Sequence, residues 1–398
     1  MIRLLLALLL TAGGCSTSIE LLPQLDGGNG PGDLQSSDGP GLLCPGGGDP
    51  IKLDVSGSAT CASAVAQQLH AFALCSCDEL KLSSRLDSMS FSSTGGTPQR
   101  SAAIGTNRTL TSEAELEVEG SVWVAEALAV HLGGAIARTL RSGGSLLADE
   151  GELSVGGDAF INGDVSGDGP ISIDGTLHVP ASATIAASVS AQATQREPVA
   201  IPTPCACNAA TQIDLAGLIS AAATTNDNAA IGLSVDALRG DGALTTLALP
   251  CGRFYVSAIE TQGTLTLDVS GRAALLVRDD VVLRGALEVT LASGAELDLV
   301  IGGTMTSFGR HDIGSTASPS RMRLWIASSK TVLLDGAPAL RAITTASRSL
   351  VSAPSGLEVF GSLLTNQLVS AGPTTLHFDE AVLTSGQACG APATPIVD

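Results

Sequence analysis

Short runs in which Val, Leu, Ile and Ala alternate with polar residues, each closed by Gly, Asp or Asn, dominate two tracts of this chain. Between Gly151 and Pro180 it reads GELSVGGDAFINGDVSGDGPISIDGTLHVP, and from Thr245 to Leu383 the habit returns in TLTLDVSGRAALLVRDDVVLRGALEVTLASGAELDLVIGGTMT. A period of two puts the apolar side chains on one face of a strand, and the Gly-rich breaks turn the chain before a strand can lengthen. Strands this short and this numerous predict an all-β parallel β-solenoid, or β-helix, carrying one or two short helices. The phrases AELEVEGSVWV, GELSVGGDAFINGDV and PISIDGTLHV share a rhythm of strand, corner, strand. Their spacing is uneven, which suits coils with variable corners rather than a strict hexapeptide code.

Two stretches break the β rhythm with helical spacing. CASAVAQQLHAF, Cys61 to Phe72, predicts a helix that caps the first solenoid segment, because an uncapped end exposes strand edges. QIDLAGLISAAAT, Gln212 to Thr224, sets Ile213, Leu215, Leu218 and Ile219 on one stripe and predicts a helix against the solenoid side or over its second half. Between them Ala181 to Ala200 loses the alternation and runs into REPVAIPTPCAC, whose prolines disfavour helix and central strand alike. The expected plan is a first solenoid segment with its capping helix over 61–180, a Pro/Cys connector with a short helix over 181–240, and a second solenoid segment over 241–389. A tail, 390–398, follows.

Composition agrees with a layered aliphatic core. Hydrophobic residues make up 44% of the 398 residues, aromatics only 3% and charged residues 15%. Small aliphatic side chains that ladder from coil to coil need few aromatics. The net charge of −19 comes from 39 acidic against 20 basic residues, with no basic stripe, so nucleic acid is not an expected partner.

The N-terminus MIRLLLALLLTAGGCSTS carries one Arg, then an apolar run from Leu4 to Leu10 that is too short to span a bilayer and has the shape of an export signal. Here the chain resembles a bacterial lipoprotein precursor, with Ala12-Gly13-Gly14-Cys15 in the place of the lipobox. The resemblance implies a signal peptide over 1–14, acylation of Cys15 and a membrane partner held through that lipid. Ser16 stands where Asp would retain such a protein at the inner membrane, so the implied location is the outer membrane; plain secretion is the alternative. Residues 15–60, rich in Gly, Pro, Ser and Asp, then form a flexible tether.

Eight cysteines follow Cys15: Cys44, Cys61, Cys75, Cys77, Cys205, Cys207, Cys251 and Cys389. An even number behind an export signal predicts disulfides. Neither Cys75-Ser76-Cys77 nor Cys205-Ala206-Cys207 is expected to close on itself, since so small a ring is strained. A bridge between the two C-x-C segments would staple the N-terminal coils to the connector, and Cys251 with Cys389 would tie the C-terminal tract. A four-thiolate zinc site is the rival. Its spacing is narrower than structural zinc favours, so neither metal nor cofactor is expected.

Near the end, GLEVFGSLLTNQLVSAGPTTLHFDEAVL places His377, Phe378, Asp379, Glu380, Ala381 and Val382 in a phrase that resembles the close of an uncharacterised bacterial domain of pilus-associated and cell-envelope β-solenoid proteins. Pro250 to Val256 and Asn226-Asp227-Asn228 resemble segments of uncharacterised envelope lipoproteins, and the GDAFINGDV style is similar in rhythm to bactofilins. These likenesses imply structural roles without catalysis. Asp158, Asp164, Asp168 and Asp174 are candidates for Ca²⁺, weighed against turn aspartates that cap backbone N–H groups. His377 with Asp379 and Glu380, and Arg310-His311-Asp312, offer acid/base groups, yet no nucleophile motif accompanies them. No catalytic residue is therefore expected. The expected function is a lipid-anchored envelope protein with a scaffold or adhesion role, touching envelope proteins or glycans. The alternative is a carbohydrate-binding module resting on Trp123 or Trp325, or a polysaccharide-active β-helix enzyme.

Overall fold

A computed structural model describes residues 54–385, apart from 56–57, 60–61, 100, 209–212 and 241. The signal peptide with Cys15, most of the tether, Cys44, Cys61, Cys389 and the tail lie outside the described residues. Apart from a two-residue antiparallel pair, Asp54–Val55 with Ser58–Ala59, the strands pair in parallel and each meets a strand one coil away. Leu110–Ser112 pairs with Leu128–Val130, which pairs with Leu146–Ala148. The chain is a parallel β-solenoid whose coils have three faces.

The first segment keeps a tighter rhythm than its sequence suggests. Inward aliphatics recur at six-residue spacing at Leu110, Leu116, Val122, Leu128, Leu140 and Leu146, with Gly134 at the one position between Leu128 and Leu140; each of these aliphatics is at most 1% exposed, so a near-regular hexapeptide replaces the expected irregular corners. Burying each such side chain stabilises the stack by about 2 kcal/mol. The second inward position of each strand often holds Ser or Thr rather than a hydrophobe. There the hydroxyl donates to a corner carbonyl: Ser112 to Ala114 O at 2.8 Å, Ser142 to Glu126 O at 2.9 Å, Thr365 to Ser349 O at 3.0 Å. A buried hydroxyl so satisfied costs little and holds the corner.

The order of coils does not follow the sequence. The first coil, Leu74–Ser76, Leu80–Leu82 and Leu86–Phe91, pairs on one side with Ile104–Thr106 and its successors, and on the other with Leu363–Thr365, Leu368–Ser370 and Thr374–Asp379. The chain thus enters mid-stack and winds outward to a terminal strand at Val189–Arg196. It returns along the side, restarts at the far end with Thr246–Leu249, and winds back to the first coil. The two segments are one continuous stack. Residues 181–196, expected as connector, form its last coil; their inward residues Ala183, Ile185, Val189 and Ala191 are small or only partly covered, which blunts the apolar pattern.

The first helix, α1 (Ala62–Leu69), caps no end. It lies beside the mid-stack junction against the 3-10 turn Glu380–Thr384, with Gln67 Nε2 donating to Leu383 O at 3.2 Å. The second, α2 (Leu215–Thr224), packs on the solenoid side against strands Gly252–Val256 and Arg272–Val277. Its N-terminus is capped by Asp214, whose carboxylate accepts from Gly217 N at 2.9 Å. A short third helix, α3 (Asn228–Ile231), leads into the segment that closes the far end.

Truncating Leu74, fully buried at the junction, to Ala should lower unfolding free energy by about 2–5 kcal/mol, whereas Met89→Ala on the same coil, 43% exposed, should change it by less than about 0.5 kcal/mol. Urea titration followed by circular dichroism measures both.

Candidate functional site

One outward position per coil runs the length of the first face in a single register, from Tyr255 at one end through Val300, Trp325, Leu364, Cys75 and Trp123 to His178. Most of this file is covered. Helix α2 lays Leu215, Ile219 and Ala222 on Tyr255, Leu276, Val300 and Trp325, forming a second apolar core outside the solenoid. The returning chain is pinned by two disulfides, Cys75–Cys205 and Cys77–Cys207. The C-x-C segments therefore bridge one another, and their sulfurs are not free to hold zinc. Gly105 sits in the file directly beneath: a Cβ there would lie 3.1 Å from Pro204 and 3.2 Å from Cys75 Sγ, so any larger residue would push the connector outward by a few tenths of an ångström. Cys251 is also in a disulfide, but the expected partner Cys389 is outside the described residues.

Beside this cover, the same face buries an ionic cluster. Asp298, fully buried, is gripped by Arg272 and by Arg323, whose Nε donates to Oδ1 at 2.6 Å, and Trp325 Nε1 donates to the same oxygen at 3.0 Å. Arg323 also reaches Glu296 at 2.6 Å and Ser385 at 2.9 Å. Burial pushes the Asp298 carboxyl up, but the two guanidinium groups and the hydrogen bonds from Arg323 and Trp325 outweigh it and hold it at about 2. Near the junction, His70 lies 3.0 Å from Thr345 Oγ1 and 2.7 Å from Ser362 Oγ, and burial depresses it to about 3, so it is neutral near pH 7.

Beyond the connector the file becomes a stacked ladder. Phe72 meets Trp123 edge-on at 5.9 Å, the Arg141 guanidinium lies over Trp123 and Phe160 at 4.9 and 4.4 Å, and Phe160 stacks on His178 at 4.3 Å. His178 ends against Glu197 at 2.7 Å. A second ladder of the same residue types stands on the third face, in the last coils: Arg341 over Phe360 at 4.0 Å, Phe360 on His377 at 4.2 Å, and His377 against Glu358 at 3.0 Å. Each rung adds about 0.5–1.5 kcal/mol beyond its burial. Sequence reasoning missed both ladders; the signal was the spacing of 141, 160 and 178 against 341, 360 and 377, one rung per coil.

No helix among the described residues packs along the second face. Its outward file runs Glu260, Val282, Thr306, Leu333, Ser352 and Val369, then crosses the junction to Lys81, Thr111, Ala129, Leu147 and Ser166, each in register with the next. Only Glu260 and Lys81 in this file are charged.

The acid/base candidates are dispersed. His377 belongs to its ladder, while Asp379 is buried, accepts from Ser93 Oγ at 2.5 Å and from the N–H of Ser93 and Ala381, and caps the 3-10 turn. His311 meets Ser307 Oγ at 3.0 Å, and Asp312 pairs with Arg341 at 2.9 Å. Asp158 and Asp164 accept from the N–H of Thr176 and Thr184, one coil on, at 2.8 and 2.7 Å. Among the described residues no group of three His, Cys, Asp or Glu converges for a metal, and no helix is long and apolar enough to cross a membrane. Trp325 is buried under α2 and the connector and offers no free face for stacking a sugar, while Trp123 is half-buried, edge-on to Phe72 and with the Arg141 guanidinium over its ring.

The molecule is of the β-solenoid class, one stack with a helix laid along its side. Residues 207–384, which span α2 and the whole C-terminal half of the stack, match a domain of unknown function, DUF7305. No curated protein matches the chain. Among solved structures, the crystal structure of an ice binding protein from an Antarctic bacterium Flavobacteriaceae is similar at 10% identity, over 82% of this chain and 98% of that one, with a TM-score of 0.21.

Stability should fall in acid in two stages. His70 is neutral when folded and protonated when unfolded below its ordinary value, so stability drops as pH falls from about 6.5 to about 3. The depressed Asp298 carboxyl adds a further loss from about 4 towards 2. Thermal melts across this range should show both slopes in the wild type, and His70→Gln should flatten the upper one.

Proposed function

We propose that this protein is a lipid-anchored component of the bacterial cell envelope, held at the outer membrane through Cys15, whose rigid solenoid presents its second face to other envelope molecules as a scaffold or adhesive surface. The observation that carries this reading is the uninterrupted file from Glu260 to Ser166, in one register, nearly uncharged and continuous across the junction. Short side chains one coil apart on a fixed backbone lose little entropy when covered, so such a face favours broad contact over capture of a small molecule. The first face is committed to α2, the connector and the disulfides. The acid/base groups already serve ladders and caps, which supports a binding role rather than catalysis.

The anchor and the face are separately testable. Cys15→Ser should abolish incorporation of labelled fatty acid and shift the protein from the detergent phase to the aqueous phase; unchanged labelling would remove the anchor from the account. With the anchor absent, the soluble chain should cosediment with isolated envelopes, and Ala129→Glu with Leu147→Arg on the second face should reduce that binding at least tenfold without altering the circular dichroism spectrum. Equal binding by the double variant would rule out this face.

A further inference from the structure

The two ends of the stack differ. At the far end, residues 228–240 fold over the outermost coil: Leu233 and Leu238 are buried, Val235 O accepts from Ser257 N at 2.7 Å, and Leu238 O accepts from Glu260 N at 2.8 Å. At the other end the last strand, Val189–Arg196, pairs on one side only, with Ile171–Val179, and no described residue pairs with its other edge. The backbone alternation identifies the open groups. Glu197 N bonds Val179 O and Ser188 O receives Ile171 N, so in this parallel ladder Ser190, Gln192, Ala193 and Gln195 turn their N–H and C=O toward Ile171–Val179, while Ala191 and Thr194 turn theirs away from it along the axis.

This edge lacks the features that usually keep strand edges apart. Residues 181–196 contain no Asp, Glu, Lys or Pro in a chain of net charge −19. The charged residue there, Arg196, is spent on the carbonyls of Pro180, Ala181 and Ala183 at 3.3, 3.1 and 2.9 Å. Above the core, Ile185, Val189 and Ala191 are only partly covered. The edge bends once, where the strand passes from the third face to the first, but it is uncharged, its outward backbone groups are open, and no described residue fully covers the apolar layer above it, so it is a template for another strand.

We propose that a second copy of this chain covers this end, the two Val189–Arg196 strands pairing antiparallel across a two-fold axis to give one doubled stack. Although the whole chain is acidic, residues 181–196 carry no acidic side chain, so a second copy brings no like charge against this edge and offers the same row of open N–H and C=O groups. A two-fold contact uses the same patch on both partners and closes, so the product is a dimer and not a filament. The folded-over far ends point outward, away from each other, and the second faces remain uncovered. This inference does not depend on the anchor or on what the second face binds.

The test is sedimentation velocity and amide exchange on the full oxidised chain carrying Cys15→Ser. The wild-type edge should give a concentration-dependent dimer, with the Ala191 and Thr194 amides becoming protected as dimer forms. Thr194→Pro removes an N–H that the ladder to Ile171–Val179 does not use, so it should leave the circular dichroism spectrum unchanged, return the protein to monomer and remove the concentration dependence of the melting temperature; Ala191→Pro, which removes the other open N–H, should do likewise. A monomer at all concentrations, a dimer that survives both variants, growth into larger species, or edge amides protected in the monomer by the protein's own chain would each overturn the proposal.

Discussion

The rest of the structure depends on a backbone ladder between residues from opposite ends of the described chain: Leu74 with Leu363, Leu80 with Leu368, Leu86 with Thr374. Without it there would be two short solenoids, each with an exposed apolar end at this point. With it, the first and last coils bury each other, and Phe378, Leu376 and Leu86 become interior to a single core. Pairing across so large a sequence separation carries a substantial loop-closure cost, which the continuous stack offsets by leaving no open layer in its middle.

That arrangement forces the chain to travel back along the stack, and the outer cover follows from the journey. The connector crosses the first face over Gly105, where it is tied at Cys205 and Cys207 to the first coil, and then delivers α2 onto Tyr255 and Trp325. Two cross-links at the first coil limit how far the connector can separate from the face even when α2 loosens. The buried cluster around Asp298 lies beside this cover, and His70 sits near the junction, so the groups most sensitive to acid are those that hold the side cover and the last coils in place. One face is thereby consumed by architecture, while no described helix packs along the second.

The β-solenoid itself was legible because inward aliphatics and Gly-rich corners are local features. For Cys75-Ser76-Cys77 and Cys205-Ala206-Cys207 the sequence excluded closure of each on itself but left the partners open, with a zinc site as rival; the pairing Cys75–Cys205 and Cys77–Cys207 became visible only in the fold. The six-residue period was obscured where Ser112, Ser142, Gly134 or Ala159 occupies an inward site: a buried hydroxyl bonded to a corner carbonyl looks, in sequence, like the corner itself. The helix at Ala62–Leu69 was recognisable, but its place was not. An amphipathic stripe shows that one face is covered without saying whether by the end of a stack or by its side. Stack order left no local trace at all, because any aliphatic coil can sit on any other; only the matched corners decide. The ladders of Arg141, Phe160 and His178 and of Arg341, Phe360 and His377 were hidden by distance, each rung being a full coil from the next.

The most direct test of the mid-stack junction uses Met89, which points outward on the first coil in register with His377. A photo-reactive benzoylphenylalanine at position 89, activated in the oxidised protein and followed by peptide mass analysis, should cross-link to the segment Thr374–Asp379. Cross-links confined to residues 80–130, with none to the C-terminal coils, would contradict the single continuous stack.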